Sequence, residues 1–132
     1  MARKRSIDLT EAELRVMEVI WRKAKATVPE VVAALAKSSR LAYNTVLTTM
    51  TILERKGYLR HSPPKEGRAF VYHPVVSRGH ARRNAVRHLL NRFFGDSAEE
   101  LVLNLIEDEK LNDGELKRVR GLLNEMPDEI PE

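Results

Sequence analysis

The alternation of apolar and polar positions is most regular between residues 43 and 59, where it predicts a helix followed by a strand. Val46, Met50 and Leu53 recur at i, i+4 and i+7, which places an apolar stripe on one side of this helix, the third of the chain. Gly57 follows basic residues and is placed to end the helix in a left-handed cap. We therefore expect one side to pack and the polar residues of the other faces to stay exposed, namely Asn44, Thr45, Thr48 and Thr51.

Small polar side chains on an exposed helix face have two interpretations. They can simply be solvated, or they can hydrogen bond to base edges in a major groove, where a threonine methyl can also touch a thymine methyl. For an isolated helix the first interpretation is favoured, and the segment that follows reverses the preference. The first residue of the helix stays open, because Ala42 is a poor cap and Ser39 or Asn44 can serve instead.

A strand, a loop and a second strand are predicted directly after the third helix. The strands cover residues 58–62 and 69–74, with Phe70 part of the alternating pattern of the second. The loop between them holds two prolines and a glycine, and its tip carries Lys65 and Arg68. A helix that ends in a basic hairpin is the outline of a winged helix-turn-helix, in which the wing contacts phosphates beside the groove that the helix enters.

Two upstream helices are predicted from their capping patterns. Thr10 with Glu13, and Thr27 with Glu30, have the spacing of a capping box at a helix start. Each helix then has an apolar face. The residues predicted to be buried are Leu14, Met17, Ile20 and Trp21 in the first helix and Val31, Ala34 and Leu35 in the second.

The C-terminal half has the pattern of three short amphipathic helices. Ser77, Ser97 and Asn112 are the predicted caps, and Gly95 ends the first of these helices. The middle helix is apolar around most of its circumference over residues 101–106, so it needs cover on several sides. Either the three helices pack back on their own winged helix or a symmetric homodimer buries them, and we favour the dimer. The predicted dimerisation residues are Leu89, Phe93, Leu101, Leu105, Val119 and Leu122.

These patterns predict a mainly α protein with a small β-hairpin wing: a winged helix-turn-helix followed by a helical dimerisation element. We expect a winged-helix DNA-binding domain at 1–75, a helical dimerisation domain at 76–124 and a disordered tail at 125–132. Residues 1–75 carry 14 Lys and Arg against 7 Asp and Glu, whereas residues 76–132 carry 9 against 12. A positive half attracts DNA phosphates, although a merely solvated basic face has the same composition.

Composition and motifs argue against several other classes. The absence of cysteine removes disulfides, thiolate metal sites and cysteine nucleophiles. No G-x-S-x-G, H-E-x-x-H, G-x-G-x-x-G or Walker pattern occurs, so we expect neither an enzyme nor a cofactor. No apolar run approaches the roughly 20 residues of a membrane span, and no apolar signal segment follows the basic N-terminus, so we expect a cytoplasmic protein. The spacing of the four histidines matches no compact metal site. We therefore predict surface or wing roles for His61, His73, His80 and His88.

Four groups of residues also resemble a known family. They are residues 9–13 with Met17 and Trp21; Thr45, Val46, Thr48, Leu53, Lys56 and Gly57; residues 67–72; and residues 103–111. Their order and spacing resemble those of the penicillinase-repressor (BlaI/MecI/CopY) family of transcriptional regulators, from Leu9 to Leu123.

The resemblance implies a homodimeric repressor. Its N-terminal winged helix would bind a palindromic operator in double-stranded DNA, and its C-terminal helices would hold the dimer. Thr45 and Thr48 match the family's reading positions in the major groove, with Tyr43 and Asn44 as their neighbours. Arg68 matches a wing position.

This chain departs from the family pattern at several positions. Leu47 stands where the family often has a polar residue, and Ile52 where it often has arginine. In the antibiotic-resistance members, a membrane sensor metallopeptidase triggers cleavage of the repressor at an Asn–Phe bond. The corresponding pair here is Asn104 and Leu105, so the resemblance implies a candidate cleavage site for such a peptidase or for another inactivating protease. Copper-responsive members use a C-terminal cysteine cluster, which this chain lacks.

From the residues alone, one further function stays open. A winged helix can serve as a protein-interaction module without sequence-specific DNA binding, and the polar face of the third helix would then meet a protein partner. Titration with random duplex DNA at two salt concentrations separates the alternatives, because phosphate contacts weaken steeply with salt.

Overall fold

A computed structural model of the chain describes residues 9–38, 40–65, 67, 69–108 and 111–125. It confirms the predicted fold class, with helices on either side of one antiparallel hairpin along the chain. The described residues form two compact units, one ending at His88 and the other beginning at Leu89. The elements are α1 Glu11–Lys23, α2 Val28–Leu35, α3 Tyr43–Lys56, β1 Leu59–Ser62, β2 Val71–Pro74, α4 Arg78–Phe93, α5 Ala98–Asp108 and α6 Asp113–Glu125.

Helices α1 and α2 begin at the predicted capping boxes. The backbone N–H of Thr10 donates to Glu13 Oε1 at 2.8 Å, and the backbone N–H of Glu13 donates to Thr10 Oγ1 at 3.1 Å. Thr27 and Glu30 make the same reciprocal pair at 3.0 and 3.3 Å. Each box satisfies amide groups that the first turn of a helix leaves without an intrahelical partner.

The buried face of α1 differs in part from the prediction. Met17 and Ile20 are fully buried, and Trp21 is partly buried. The prediction for Leu14 is wrong, because 43% of this residue is exposed. The packed stripe is centred on Val16 and Ile20, four residues apart, and Leu14 lies beyond its edge.

The hairpin forms a two-stranded antiparallel sheet, and the residue Ala26 between α1 and α2 forms an isolated bridge with it. Its register ends at the pair Ser62 and Val71, next to the wing loop. Before α2, the Ala26 N–H donates to the Tyr72 carbonyl at 3.1 Å, and the Tyr72 N–H donates to the Ala26 carbonyl at 2.8 Å. These bonds anchor the wing to the helical part of the winged helix.

The second strand is shorter than predicted. It begins at Val71 rather than at residue 69, so Phe70 lies outside it. The reason lies across the hairpin, where Pro63 and Pro64 follow Ser62. Proline has no N–H to donate, and the strand pairing stops where the prolines begin.

The core of the first unit lies between α1, α2, α3 and the hairpin. The segment that follows the hairpin also belongs to this core. Val76 is buried there, and its carbonyl accepts a hydrogen bond from the Trp21 indole Nε1 at 2.8 Å. Thr49 and Glu13 are the buried polar residues among those described, and both are hydrogen bonded. The apolar core consists of Val16, Met17, Val19, Ile20, Ala26, Val28, Val31, Leu35, Val46, Met50, Leu53, Tyr58, Leu59, Tyr72 and Val76.

The two compact units divide inside α4, later in the chain than the predicted boundary at 75/76. Ser77 caps α4 as predicted, with its Oγ accepting from the His80 N–H at 3.1 Å. Ala81 packs against the winged-helix core, and the Arg78 guanidinium lies 3.0 Å from the Glu18 carboxylate of α1. The first turns of α4 therefore belong with the winged helix, and the assignment of separate functional domains stays a prediction.

The second unit begins in α4 and continues through α5 and α6. At the predicted cap of α5, Ser97 Oγ accepts from the Glu100 N–H at 3.2 Å, and Asn112 forms a full capping box with Glu115 at the start of α6. Gly95 has a φ of 53° and lies just after α4, as predicted. Within the described part of the chain, no helix is long and apolar enough to cross a bilayer. The tail predicted at 125–132 falls outside the described residues except for Glu125, which ends α6.

Candidate nucleic-acid interface

Helix α3 presents a polar face to solvent. The line opposite its packed stripe follows steps of four, three and four residues through Asn44, Thr48, Thr51 and Arg55, all exposed. Thr51 and Arg55 were not among the predicted reading residues, although the same helical spacing places them in that line. The predicted reading residues on this helix are all exposed: Tyr43, Asn44, Thr45 and Thr48.

The opposite side of α3 fixes the orientation of this face. Val46, Met50 and Leu53 are fully buried, as predicted. The buried Thr49 donates its hydroxyl hydrogen to the Thr45 carbonyl at 2.8 Å, so this buried hydroxyl group has a hydrogen-bond partner. Thr45 precedes the buried Thr49 by four residues and is itself exposed, so it lies at the border between the packed and the polar faces of α3.

The structure gives both ends of α3, and its start at Tyr43 is the one that the sequence left open. Ala42 is the residue that precedes the first turn, and it makes no side-chain capping bond. Gly57 ends the helix in the left-handed region with φ of 90°, as predicted, and its N–H donates to the Glu54 carbonyl at 3.1 Å. Glycine adopts this conformation without the steric cost that other residues meet, so the chain can turn directly into β1.

A buried ion pair holds the C-terminal end of α3 against α1. Lys56 Nζ lies 2.8 Å from Glu13 Oε1, and the Glu13 side chain is only 6% exposed. Burial alone would raise the pKa of Glu13, but hydrogen bonds from Lys56 and Thr10 outweigh burial and hold the pKa below its ordinary value. The capping box of α1 and the last turn of α3 therefore share one carboxylate.

A second carboxylate joins α3 to the wing. Glu54 Oε2 accepts from the His61 backbone N–H at 3.0 Å and lies 2.6 Å from His61 Nδ1. The His61 ring also makes an edge contact with Phe70, with ring centroids 5.0 Å apart. This clamp links β1, the end of the wing loop and α3, so the reading face and the wing are held as one surface.

The loop of the wing supplies one described basic side chain. Lys65 is exposed in the loop after β1. Arg68, the other predicted wing contact, lies outside the described residues. A lysine in this place suits a phosphate oxygen, because its ammonium group acts as a point charge that needs no fixed geometry.

The predicted dimerisation residues lie in the second unit, and most of them are exposed in the single chain. Leu101 is half-buried, whereas Phe93 is 70% and Leu122 is 63% exposed. Leu89, Leu105 and Val119 are also exposed, and neither α5 nor α6 contains a buried residue. A second unit of this kind leaves an unusual amount of large apolar surface open to solvent.

The candidate cleavage pair lies within α5. Asn104 donates its side-chain N–H to Asp108 Oδ2 at 3.0 Å, one turn further along the helix. Leu105 is exposed beside it. The peptide bond between them therefore belongs to regular helix and is not part of a loop.

The histidines lie on the wing and on α4. His61 and His73 lie on β1 and β2, where His73 Nε2 is 3.2 Å from Ser62 Oγ. His80 and His88 lie on α4. Among the described residues, no group of three or more His, Cys, Asp or Glu side chains is arranged to hold a metal ion.

Three helices, a two-stranded wing and an exposed polar stripe on the third helix define a winged helix-turn-helix protein. The family model described as penicillinase repressor matches residues 9–125. The chain is 34% identical over 122 residues to the penicillinase repressor of Bacillus licheniformis, covering 92% of this chain and 94% of the relative. It is 25% identical over 120 residues to the methicillin resistance regulatory protein MecI of Staphylococcus aureus, covering 91% and 96% respectively.

A solved structure agrees with these relatives. The DNA-binding domain of the repressor BlaI superimposes with a TM-score of 0.51 at 37% identity, and the match covers 59% of this chain and 93% of that domain. This chain belongs to the penicillinase repressor family, a family of transcriptional repressors and not of enzymes.

Proposed function

We propose that this chain represses transcription in the cytoplasm by binding a palindromic operator as a homodimer. Helix α3 enters the major groove, and the wing lies along the adjacent phosphates. The observation that carries the proposal is the exposed stripe through Asn44, Thr48 and Thr51, set beside a hairpin with Lys65 at its loop. The similarity to the DNA-binding domain of BlaI supports it.

Two carboxylate contacts prepare this surface for binding. The Glu13–Lys56 pair fixes the last turn of α3, and the contact between Glu54 and His61 fixes the wing relative to the same helix. A surface that is already ordered loses less conformational freedom when it meets DNA, so more of the contact energy appears as affinity.

Asn44, Thr45 and Thr48, with Tyr43 beside them, read base edges through hydrogen bonds and methyl contacts. The side chains of Asn44, Thr45 and Thr48 are short, which requires the helix to lie deep in the groove. Lys65 and Arg68 neutralise phosphates and fix the register of the helix without reading sequence. The two roles separate in their salt dependence, since only phosphate contacts release condensed counterions.

Dimerisation covers the apolar surface of the second unit. Leu89, Phe93, Leu105 and Leu122 are exposed in one chain, and a second copy offers the matching surface through twofold symmetry. A symmetric dimer requires a palindromic operator, because each winged helix takes one half-site and the second contact forms at high effective concentration.

Repression ends when a protease cuts α5 at the bond between Asn104 and Leu105. A cut there separates α6 from α4 and removes part of the surface that holds the dimer. A peptidase needs an extended substrate, so α5 opens locally before cleavage. A membrane sensor metallopeptidase or another inactivating protease makes the cut. Mass spectrometry of the protein from cells before and after cell-wall antibiotic stress tests this step, and intact chains together with full derepression would rule it out.

Selection of bound duplexes from a random pool, followed by titration at two salt concentrations, tests DNA binding. We expect one palindromic sequence to be enriched and bound at least a thousandfold more tightly than random duplex. Binding to both should weaken as salt rises. No enrichment, or no binding at low salt, would favour the protein-interaction module instead.

A further inference from the structure

Large apolar side chains are exposed beside the polar stripe of α3. Tyr43 and Leu47 lie one turn apart and are 49% and 36% exposed, and Phe70 of the wing is 48% exposed. Together with parts of α2 and the wing loop they line a cavity of about 200 Å³. Grouped apolar side chains on an otherwise polar surface mark a place where another molecule binds.

Leu47 is the member of this group that lies closest to the polar stripe of α3. It follows Asn44 by three residues and precedes Thr51 by four, so it is a helical neighbour of both. Its side chain cannot donate or accept a hydrogen bond. In a groove, it can only make apolar contacts or desolvate a polar base edge, and the second outcome is unfavourable.

Thr51 adds to the apolar character of this position. Its hydroxyl donates to the Leu47 carbonyl at 2.9 Å, so its hydrogen is already used within the helix. Thr48 differs, because its hydroxyl makes no hydrogen bond to any of the residues that the structure describes. The reading face therefore has a polar part at Asn44 and Thr48 and a part at Leu47 and Thr51 that offers apolar groups and no free donor, where the Thr51 hydroxyl oxygen can still accept.

The major groove offers one apolar group to match. Among the four base pairs, the C5-methyl group of thymine is the only apolar feature on the groove edge, and the remaining features are hydrogen-bond donors and acceptors. We propose that Leu47, with the Thr51 methyl group beside it, reads a thymine methyl group in each operator half-site. The inference rests on the proposed DNA-binding function and names a base that this function requires.

Replacing thymine with deoxyuridine removes only this methyl group and keeps the base pair. The test uses the full-length protein and the duplex selected from the random pool, with each thymine of a half-site replaced in turn. At one position we expect a loss of about fourfold in affinity, the ratio expected for exposing one methyl-sized group. Replacement in both half-sites should cost on the order of fifteenfold.

Leu47→Ala supplies the decisive comparison. In this variant the ratio of the affinities for the thymine and uracil duplexes at that position should fall clearly below fourfold, because only the Thr51 methyl group remains beside the base. Thr48→Ala is the matched control, which should bind more weakly and keep the fourfold ratio. Neither residue belongs to the buried core, and unchanged thermal unfolding followed by Trp21 fluorescence verifies that the fold is intact in both variants.

Two results overturn the inference while leaving the proposed function intact. One is strong, sequence-specific binding that no thymine-to-uracil replacement weakens. The other is a uracil effect that persists undiminished in Leu47→Ala. Absence of any sequence preference in the unsubstituted protein contradicts the proposed function itself, and the inference falls with it.

Discussion

Replacing Lys56 with methionine should destabilise the winged helix through the carboxylate that it leaves behind. Glu13 is almost fully buried and accepts a 2.8 Å hydrogen bond from Lys56. Methionine keeps an apolar stem of similar length but cannot donate, so the carboxylate retains only its contacts at Thr10. A buried charge without its partner is costly.

The size of the effect follows from the burial of the two side chains. Removing one member of a buried pair costs about 3–5 kcal/mol. The Lys56 side chain is 25% exposed, so water partly replaces it and we expect about 2–3 kcal/mol. The control is Arg15→Met, which breaks the pair with Glu11 at 3.8 Å, where both side chains are more than half exposed. It should cost under about 0.5 kcal/mol.

The pH dependence gives the pair a second signature. The folded state holds the pKa of Glu13 below the ordinary value of 4.5. Its contribution to stability is therefore present above pH 4.5 and is lost as the pH falls through the folded pKa. Glu13→Gln cannot titrate, so its stability deficit relative to the unsubstituted protein should shrink as the solution is acidified below pH 4.5.

Urea unfolding followed by the fluorescence of Trp21, the only tryptophan, reports on this unit. Trp21 lies in α1, within the unit that contains Glu13 and Lys56. If Lys56→Met costs no more than Arg15→Met at pH 7, and if Glu13→Gln shows an unchanged deficit in acid, the buried pair does not stabilise the fold as argued.

Three further predictions concern the reading face, the wing and the dimer. Thr48→Ala should lower discrimination between operator and random duplex by about 1–3 kcal/mol. Lys65→Ala should instead weaken binding to both duplexes and reduce the slope of log affinity against log salt concentration by about one. Equal losses on both duplexes for both variants would refute this division of roles. Glu54→Ala should raise amide hydrogen exchange at His61 by about tenfold, and unchanged exchange would mean that the clamp does not hold the wing. Leu105→Asp should yield monomers in sedimentation with unchanged Trp21 fluorescence, and an undiminished dimer would contradict the proposed assembly.

Local features of this fold could be predicted from sequence because their determinants lie within one helical turn. The boxes at Thr10 and Thr27 and the cap at Gly57 depend on residues three or four positions apart. The stripe on α3 was also predictable, because its period is that of the helix itself. Leu14 was misassigned because apolar character alone does not locate the edge of a packed stripe.

Contacts between distant segments could not be predicted in the same way. Glu13 and Lys56 are 43 residues apart, and no local pattern indicates that a capping glutamate also binds a lysine. The contact between Trp21 and Val76, 55 residues apart, likewise attaches the start of α4 to the winged helix. For that reason the units divide within α4 and not where the composition changes.

We propose that the exposed stripe of α3 is the surface that meets the operator. Backbone and side-chain NMR shifts of the full-length protein during titration with the selected duplex test it most directly. We expect the largest changes at Asn44, Thr48, Thr51 and Lys65, with little change on the outer face of α1 at Arg15. Changes centred on α1 with α3 undisturbed would contradict it.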